Sequence, residues 1–155
     1  MTQTAVRRFL DSVAVLGLTP EVREFDESTH TAAEAAAAIG CDVAAIVKSL
    51  VFEADGAPLL VLASGPNRVD TAALGARLGA AIGKADAATV KQATGYSIGA
   101  VPPLGHLTPL RTVFDETLLA LPVVWAAAGS ATAVFAIDPA ELARLTNAEI
   151  LPVVE

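Results

Sequence analysis

Apolar residues recur at three- and four-residue intervals at the start of the chain: Val6, Phe9, Leu10, Val13 and Leu16. That spacing gathers them on one face of a helix from about Thr4 to Leu16, stopped by Gly17 and Pro20. A short strand is expected near Val22–Phe25. Thr31 and Glu34 have the spacing of a capping box ahead of a short helix over Ala35–Ile39, which Gly40 closes. From Ile46 to Phe52 the chain is rich in β-branched and aromatic residues, and Asp55-Gly56 is a two-residue turn signal. Pro58–Ala63 should therefore return antiparallel to Ile46–Phe52. The stretch Ser64-Gly65-Pro66-Asn67-Arg68 reads as a loop, Asp70 caps a helix through Leu78, and Ala87–Thr94 forms another, ended by Gly95. Strands are expected near Thr112–Phe114, Val123–Ala127 and Ala133–Ile137. Asp138-Pro139 opens a helix through Leu145, and Glu149–Val154 can add a final strand.

Strands outnumber helices in this reading and include a hairpin, so the fold class is α+β with a mixed, mostly antiparallel, curved sheet surrounded by helices. A length of 155 residues, with no internal repeat and no low-complexity linker, points to a single domain over 1–155. Hydrophobic content of 54% with 17% charged residues excludes disorder, and no stretch approaches the roughly 20 apolar residues of a membrane span. Asp11 and Ser12 interrupt the N-terminal apolar stretch, which is helical in spacing and does not read as a secretory signal; cytoplasm is the expected compartment. Cys41 is the one cysteine and the histidines are His30 and His106, so neither an internal disulfide nor a zinc-type cluster is expected.

The net charge of −7 argues against a generic nucleic-acid coat. It is unevenly spread: residues 1–66 carry −5, residues 67–111 carry +3 and residues 112–155 carry −5. A basic middle third can attract a localised polyanion such as the end of one nucleic-acid strand, or can simply be exposed charge on helices.

Lys48 stands inside the apolar run Ile46-Val47-Lys48-Ser49-Leu50-Val51-Phe52. Burying an ammonium costs several kcal/mol unless it meets an anionic partner or a wet cavity, so a function for the charge is one reading. An edge strand whose lysine faces water and discourages aggregation is the other. A second segment, Gly95-Tyr96-Ser97-Ile98-Gly99-Ala100-Val101-Pro102-Pro103-Leu104-Gly105-His106, is a stiff irregular loop. Its N–H groups cannot all enter regular structure and can bind an oxyanion or carbonyl; alternatively the loop is a rigid connection with Tyr96 and Ile98 packed inward. It matches neither a P-loop nor a GxGxxG turn.

The order TAAEAAAAIG, IVKSLVF, hairpin, SGPNRVD, TGYSIGAVPPLGH and AAAGSATAVFAIDPAEL resembles the YbaK/prolyl-tRNA-synthetase-associated editing domains over nearly the whole chain. The resemblance implies a mixed sheet rolled towards a barrel with helices around it, and deacylation of mischarged tRNA by a freestanding or synthetase-embedded hydrolase. It makes Lys48 the residue most tied to activity, with Ser49 at the adjoining position. Gly99 and Ala100 match the loop pair whose amides hold the aminoacyl carbonyl, although the family has glycine where this chain has Ala100. If that position required φ > 0, the loop would have to differ locally, at a cost of order 1 kcal/mol. Relatives acting on cysteinyl-tRNA carry Ser-Gly-Gly and a later Asp, where this chain has Ala127-Ala128-Gly129 and Val134.

The expected chemistry is ester hydrolysis at the 3′ acceptor end of a mischarged tRNA, with prolyl-tRNA misloaded with a small amino acid as the substrate. Lys48 would anchor the terminal adenosine's phosphate or ribose region, and the amides around Gly99, Ala100 and Val101 would stabilise the oxyanion, with Pro102, which has no N–H to donate, contacting the substrate beside them. His106 is expected to position the loop; His30 is an exposed residue before the helix cap or, with Thr31, stands at the pocket rim; and Arg68 reaches the acceptor strand or is simply solvated at the surface. No cofactor, membrane or DNA partner is expected; an aminoacyl-tRNA synthetase is a further partner. The alternative is a non-catalytic module of the same fold that binds aminoacyl-tRNA or a free amino acid.

Overall fold

The structure, a computed structural model, describes residues 2–25 and 31–154 of the chain. Its helices are α1 (Thr2–Ala14), α2 (Ala32–Ile39), α3 (Thr71–Leu78), α4 (Ala87–Thr94) and α5 (Pro139–Thr146). The strands are β1 (Val22–Glu24), β2 (Val47–Ala54), β3 (Ala57–Ser64), β4 (Ile82–Lys84), β5 (Arg111–Asp115), β6 (Val124–Ala127), β7 (Ala133–Ile137) and β8 (Glu149–Leu151). Helix starts follow the capping chemistry. Thr31 and Glu34 form the reciprocal capping box of α2, and the carboxylates of Asp70, Asp86 and Asp138 accept from the first-turn N–H groups of α3, α4 and α5. No helix among the described residues is long and apolar enough to cross a membrane.

The class is α+β, but the strands form two sheets, ordered β1-β7-β6 and β4-β2-β3-β5-β8. Pairing is antiparallel except for β3 with β5 and β5 with β8. This corrects the expectation of one barrel-like sheet: among the described residues neither sheet closes, and a single parallel bridge, Ile46 to Trp125, joins them. The physical reason lies along β2. Its far end pairs with β4 only over Phe52–Ala54, its near end meets β6 only at that bridge, and the edge between is left open.

β3 is buried from Leu59 to Ala63 without alternation, because both of its faces are covered. Leu60 and Leu62 join a core between the two sheets with Phe9 and Val13 of α1, Phe135 of β7 and Val101, whereas Leu59, Val61 and Ala63 pack beneath Leu74 of α3. The same alternation governs β2: Val47 and Val51 face the inter-sheet core, and Lys48, Leu50 and Phe52 face the other side.

Most predicted elements are present with shifted ends. α1 stops two residues early, Leu16 and Gly17 forming a turn onto Val13 and Ala14, and the last strand ends at Leu151, before Pro152, which has no N–H to extend a ladder. β4 was not anticipated. Three residues, one of them Gly83, carry no readable period, and the strand exists because Glu53 of β2 offers it a partner.

Candidate active site

The open edge of β2 forms one wall of a cavity of about 660 Å³. Six consecutive β2 residues, Val47 to Phe52, line it. Alternating side chains cannot all point one way, so this wall is the strand's edge, main chain included. Around it stand Thr31 and Ala32 at the start of α2, Gly65 and Pro66 after β3, Ile98, Gly99 and Val101 of the long loop, and Trp125, Ala127, Ser130 and Val134 of the smaller sheet.

Lys48 is half-buried at this cavity, and its Nζ donates to the main-chain oxygen of Asn67 at 2.5 Å. Burial lowers its pKa from the ordinary lysine value and nearby Arg68 acts in the same direction, while the carboxylate of Asp115 opposes them. The edge-strand reading of Lys48 is therefore partly met: the strand edge beside it is open, but the ammonium is held by protein.

What holds the Asn67 carbonyl in place is a network that sequence reading missed. Asp115, at the end of β5, is 1% exposed. One oxygen accepts from the Ser64 N–H (3.0 Å) and the Asn67 side-chain amide (2.8 Å), and the other from the Thr117 N–H (3.0 Å). The hydroxyl of Ser64 donates to the Ala44 oxygen at 2.6 Å, tying the end of β3 to the turn that precedes β2. Gly65 must lack a side chain here, because a Cβ would sit 2.2 Å from the Val43 oxygen. The signal was available: Asp115 is a second charge in an apolar strand, the same anomaly that singled out Lys48.

The loop after α4 is tied down from the opposite side. Arg8 of α1 donates to the Gly95 oxygen at 2.5 Å and its guanidinium lies 4.6 Å from the centroid of the Tyr96 ring. Thr94, fully buried, donates to the Val90 oxygen and accepts from the Tyr96 N–H. Residues Ser97–Ala100 form a tight turn in which the Ala100 N–H donates to the Ser97 oxygen at 2.9 Å and Gly99 takes φ +87°. A positive φ at that turn position requires glycine. Ala100, by contrast, lies outside the positive-φ region, so alanine is unstrained there. The Gly99 and Val101 N–H groups have no hydrogen-bond partner among the described residues.

Of the residues singled out from sequence, Lys48, Ser49, Gly99, Val101 and Thr31 line the cavity, and Ala100, Pro102, His106 and Arg68 do not. Ala100 is buried with its N–H engaged. His106 Nε2 lies 2.6 Å from the Pro102 oxygen; burial lowers the ring's pKa, so the neutral imidazole donates that bond and braces the loop. Arg68 is exposed beside Lys48. His30 falls outside the described residues. Ser49 Oγ is buried without a hydrogen-bond partner among the described residues, and Cys41 is half-buried with its thiol pKa raised by burial. Among the described residues no three metal-ligating side chains come together.

Known proteins place this geometry. The chain is 28% identical over 131 residues to YwhH, an uncharacterised protein of Bacillus subtilis (strain 168), covering 84% of this chain and 83% of that one. A solved structure described as a proposed trans-editing enzyme for prolyl-tRNA synthetase superposes with a TM-score of 0.92 at 41% identity, covering 97% of both chains. A second, the hypothetical protein APE2540, gives a TM-score of 0.87 at 30% identity, covering 96% of this chain and 99% of that one. Residues 26–145 match the aminoacyl-tRNA editing domain, and the chain belongs to that family.

Proposed function

We propose that this protein is a freestanding deacylase that hydrolyses the ester of a mischarged tRNA, with prolyl-tRNA carrying a small amino acid as the substrate. The observation that carries this reading is the placement of Lys48. In a family of aminoacyl-tRNA editing domains, the one charged side chain among the described lining residues is a lysine held at a preset position by the Asn67 carbonyl. A fixed ammonium in a partly desolvated site attracts phosphate or ribose oxygens more strongly than one in water. The free N–H groups of Gly99 and Val101, on the facing loop, are donors for the ester carbonyl as it becomes an oxyanion.

The hydroxyls that line the cavity are not set up as nucleophiles. Ser49 Oγ has no base beside it, Ser130 Oγ pairs with Thr132 Oγ1 at 3.3 Å, and Thr31 is spent on capping α2. His106, the nearest imidazole in the sequence motif, is committed to Pro102. Attack by water or by the terminal ribose 2′-hydroxyl fits this set. Lys48 and the loop amides would then align the ester and absorb the developing charge.

The test is a deacylation panel: tRNA(Pro) charged with alanine, cysteine, serine or threonine, assayed with the wild-type chain and Lys48→Ala. Turnover of at least one substrate that vanishes in Lys48→Ala is expected. Unchanged turnover in the variant removes Lys48 from the mechanism, and binding without turnover across the panel favours the non-catalytic module.

A further inference from the structure

Two strand edges face each other across the cavity, and neither side chains nor sequence motifs reveal what they offer. Ala54 and Ala57 are partners across the Asp55-Gly56 turn, and hydrogen-bonded pairs recur at every second position of such a hairpin. Lys48, Leu50 and Phe52 therefore turn their N–H and C=O groups to β3, and Ser49 turns both of its groups the other way. β4 reaches only Phe52 and the bridge only Ile46, so on that side Ser49 meets no strand among the described residues. On β6, the Ala128 N–H donates to the Ala133 oxygen at 2.9 Å, which puts Ala126 in register with β7 and turns the main chain of Ala127 outward, towards β2. Ser49 and Ala127 both line the cavity.

Resting on the deacylase reading, we infer that this pair of open edges is the subsite for the substrate's α-ammonium group, whose N–H bonds the main-chain oxygens of Ser49 and Ala127 accept. The α-ammonium needs acceptors, and no Asp or Glu is among the described lining residues. Lys48 repels it. The loop offers Gly99 and Val101 as donors, which suit the ester carbonyl and not a cation. The outward strand carbonyls of Ser49 and Ala127 are acceptors facing this edge, and the ladders on their far sides hold them in position before substrate arrives. Such a site reads the amino-acid main chain and leaves the side chain to the small-residue lining of β6 and β7.

The test replaces the ammonium with an isosteric hydroxyl. The amino acid turned over best in the panel is compared with its α-hydroxy acid on the same tRNA, lactate for alanine or glycerate for serine, at about pH 6, below the α-amino pKa of roughly 7.7–8.0. Each rate is divided by the spontaneous hydrolysis of the same ester, because losing the ammonium slows that reaction too. A fall of about 10–100-fold in this ratio for the hydroxy ester is expected, the range for a lost hydrogen bond to a charged group. Ratios within about threefold overturn the subsite while leaving the deacylase reading intact; no turnover of any amino ester overturns both. Ser49→Ala should keep the discrimination, since the main-chain oxygen remains, and loss of discrimination in that variant would transfer recognition to the hydroxyl.

Discussion

The two walls of the cavity are built on different principles. The wall of β2 and residues 64–67 is cross-braced by polar groups: Asp115 holds the Ser64 and Asn67 groups, and Asn67 holds Lys48. The wall of the smaller sheet, apart from Trp125 and Val134, is made of small residues, Ala126, Ala127, Ser130, Ala131 and Ala133, with no charged side chain. The first wall fixes a charge and tolerates little change. The second sets the space left for an amino-acid side chain, and a methyl group more or less there alters volume without loosening the anchor.

That contrast can be broken most directly at Lys48. Lys48→Ala should lower kcat/KM for a responsive mischarged tRNA by about 100–1000-fold, the scale of removing one electrostatic stabiliser from an active site, while the circular dichroism spectrum is unchanged. If the small-residue wall carries the chemistry instead, the loss will be slight. Next in size, Asp115→Ala strands the buried Ser64 N–H and the Thr117 N–H and should cost about 3 kcal/mol in urea denaturation. Activity should fall with it as the Asn67 carbonyl loses its brace. On the opposite wall, Ala127→Leu should leave the denaturation midpoint nearly unchanged and reduce turnover of the larger esters in the panel by about tenfold relative to the smallest. Equal loss across all esters would mean that the wall does not measure side-chain size.

Two smaller effects are read by pH. Burial lowers the Lys48 pKa, so competitive acetylation should find Lys48 titrating below the ordinary lysine value; a value at or above it would mean that Asp115 outweighs desolvation. His106 has its folded pKa lowered by burial, so below the unfolded value of about 6.5 the unfolded chain binds the extra proton. Its share of stability is complete above that pH and is lost as pH falls through the folded pKa. His106→Gln should show a flatter decline in melting temperature over that interval than the wild type.

Features that depend on neighbours in sequence were legible in the chain. Thr31 with Glu34, Asp70 and Asp138 announced three helix starts, and Asp55-Gly56 announced the hairpin that brings Ala63 opposite Lys48. Lys48 itself was conspicuous because its surroundings were apolar. What required the structure was long-range pairing. The split into two sheets depends on where β4 and β6 stop meeting β2, and no local pattern encodes a strand's failure to find a partner. Asn67 was passed over because its main-chain oxygen holds Lys48, and main-chain atoms leave no signature in residue type. The departure at Ala100 looked costly only while its role was unknown. The turn places the left-handed demand on Gly99, and Ala100 needs only an N–H.

The match to the family begins at residue 26, yet α1, which precedes it, reaches the site. Phe9 packs against Phe135 with the rings tilted and their centroids 5.1 Å apart, Arg8 grips Gly95 and Tyr96, and a Cβ on Gly129 would meet the Ala5 oxygen at 2.8 Å. The first helix thus acts as a clasp across both halves of the small-residue side of the cavity. A protein trimmed to the matched span would keep Lys48 and every lining residue, but would release the loop that faces them; its inactivity would say nothing about the chemistry of the intact chain.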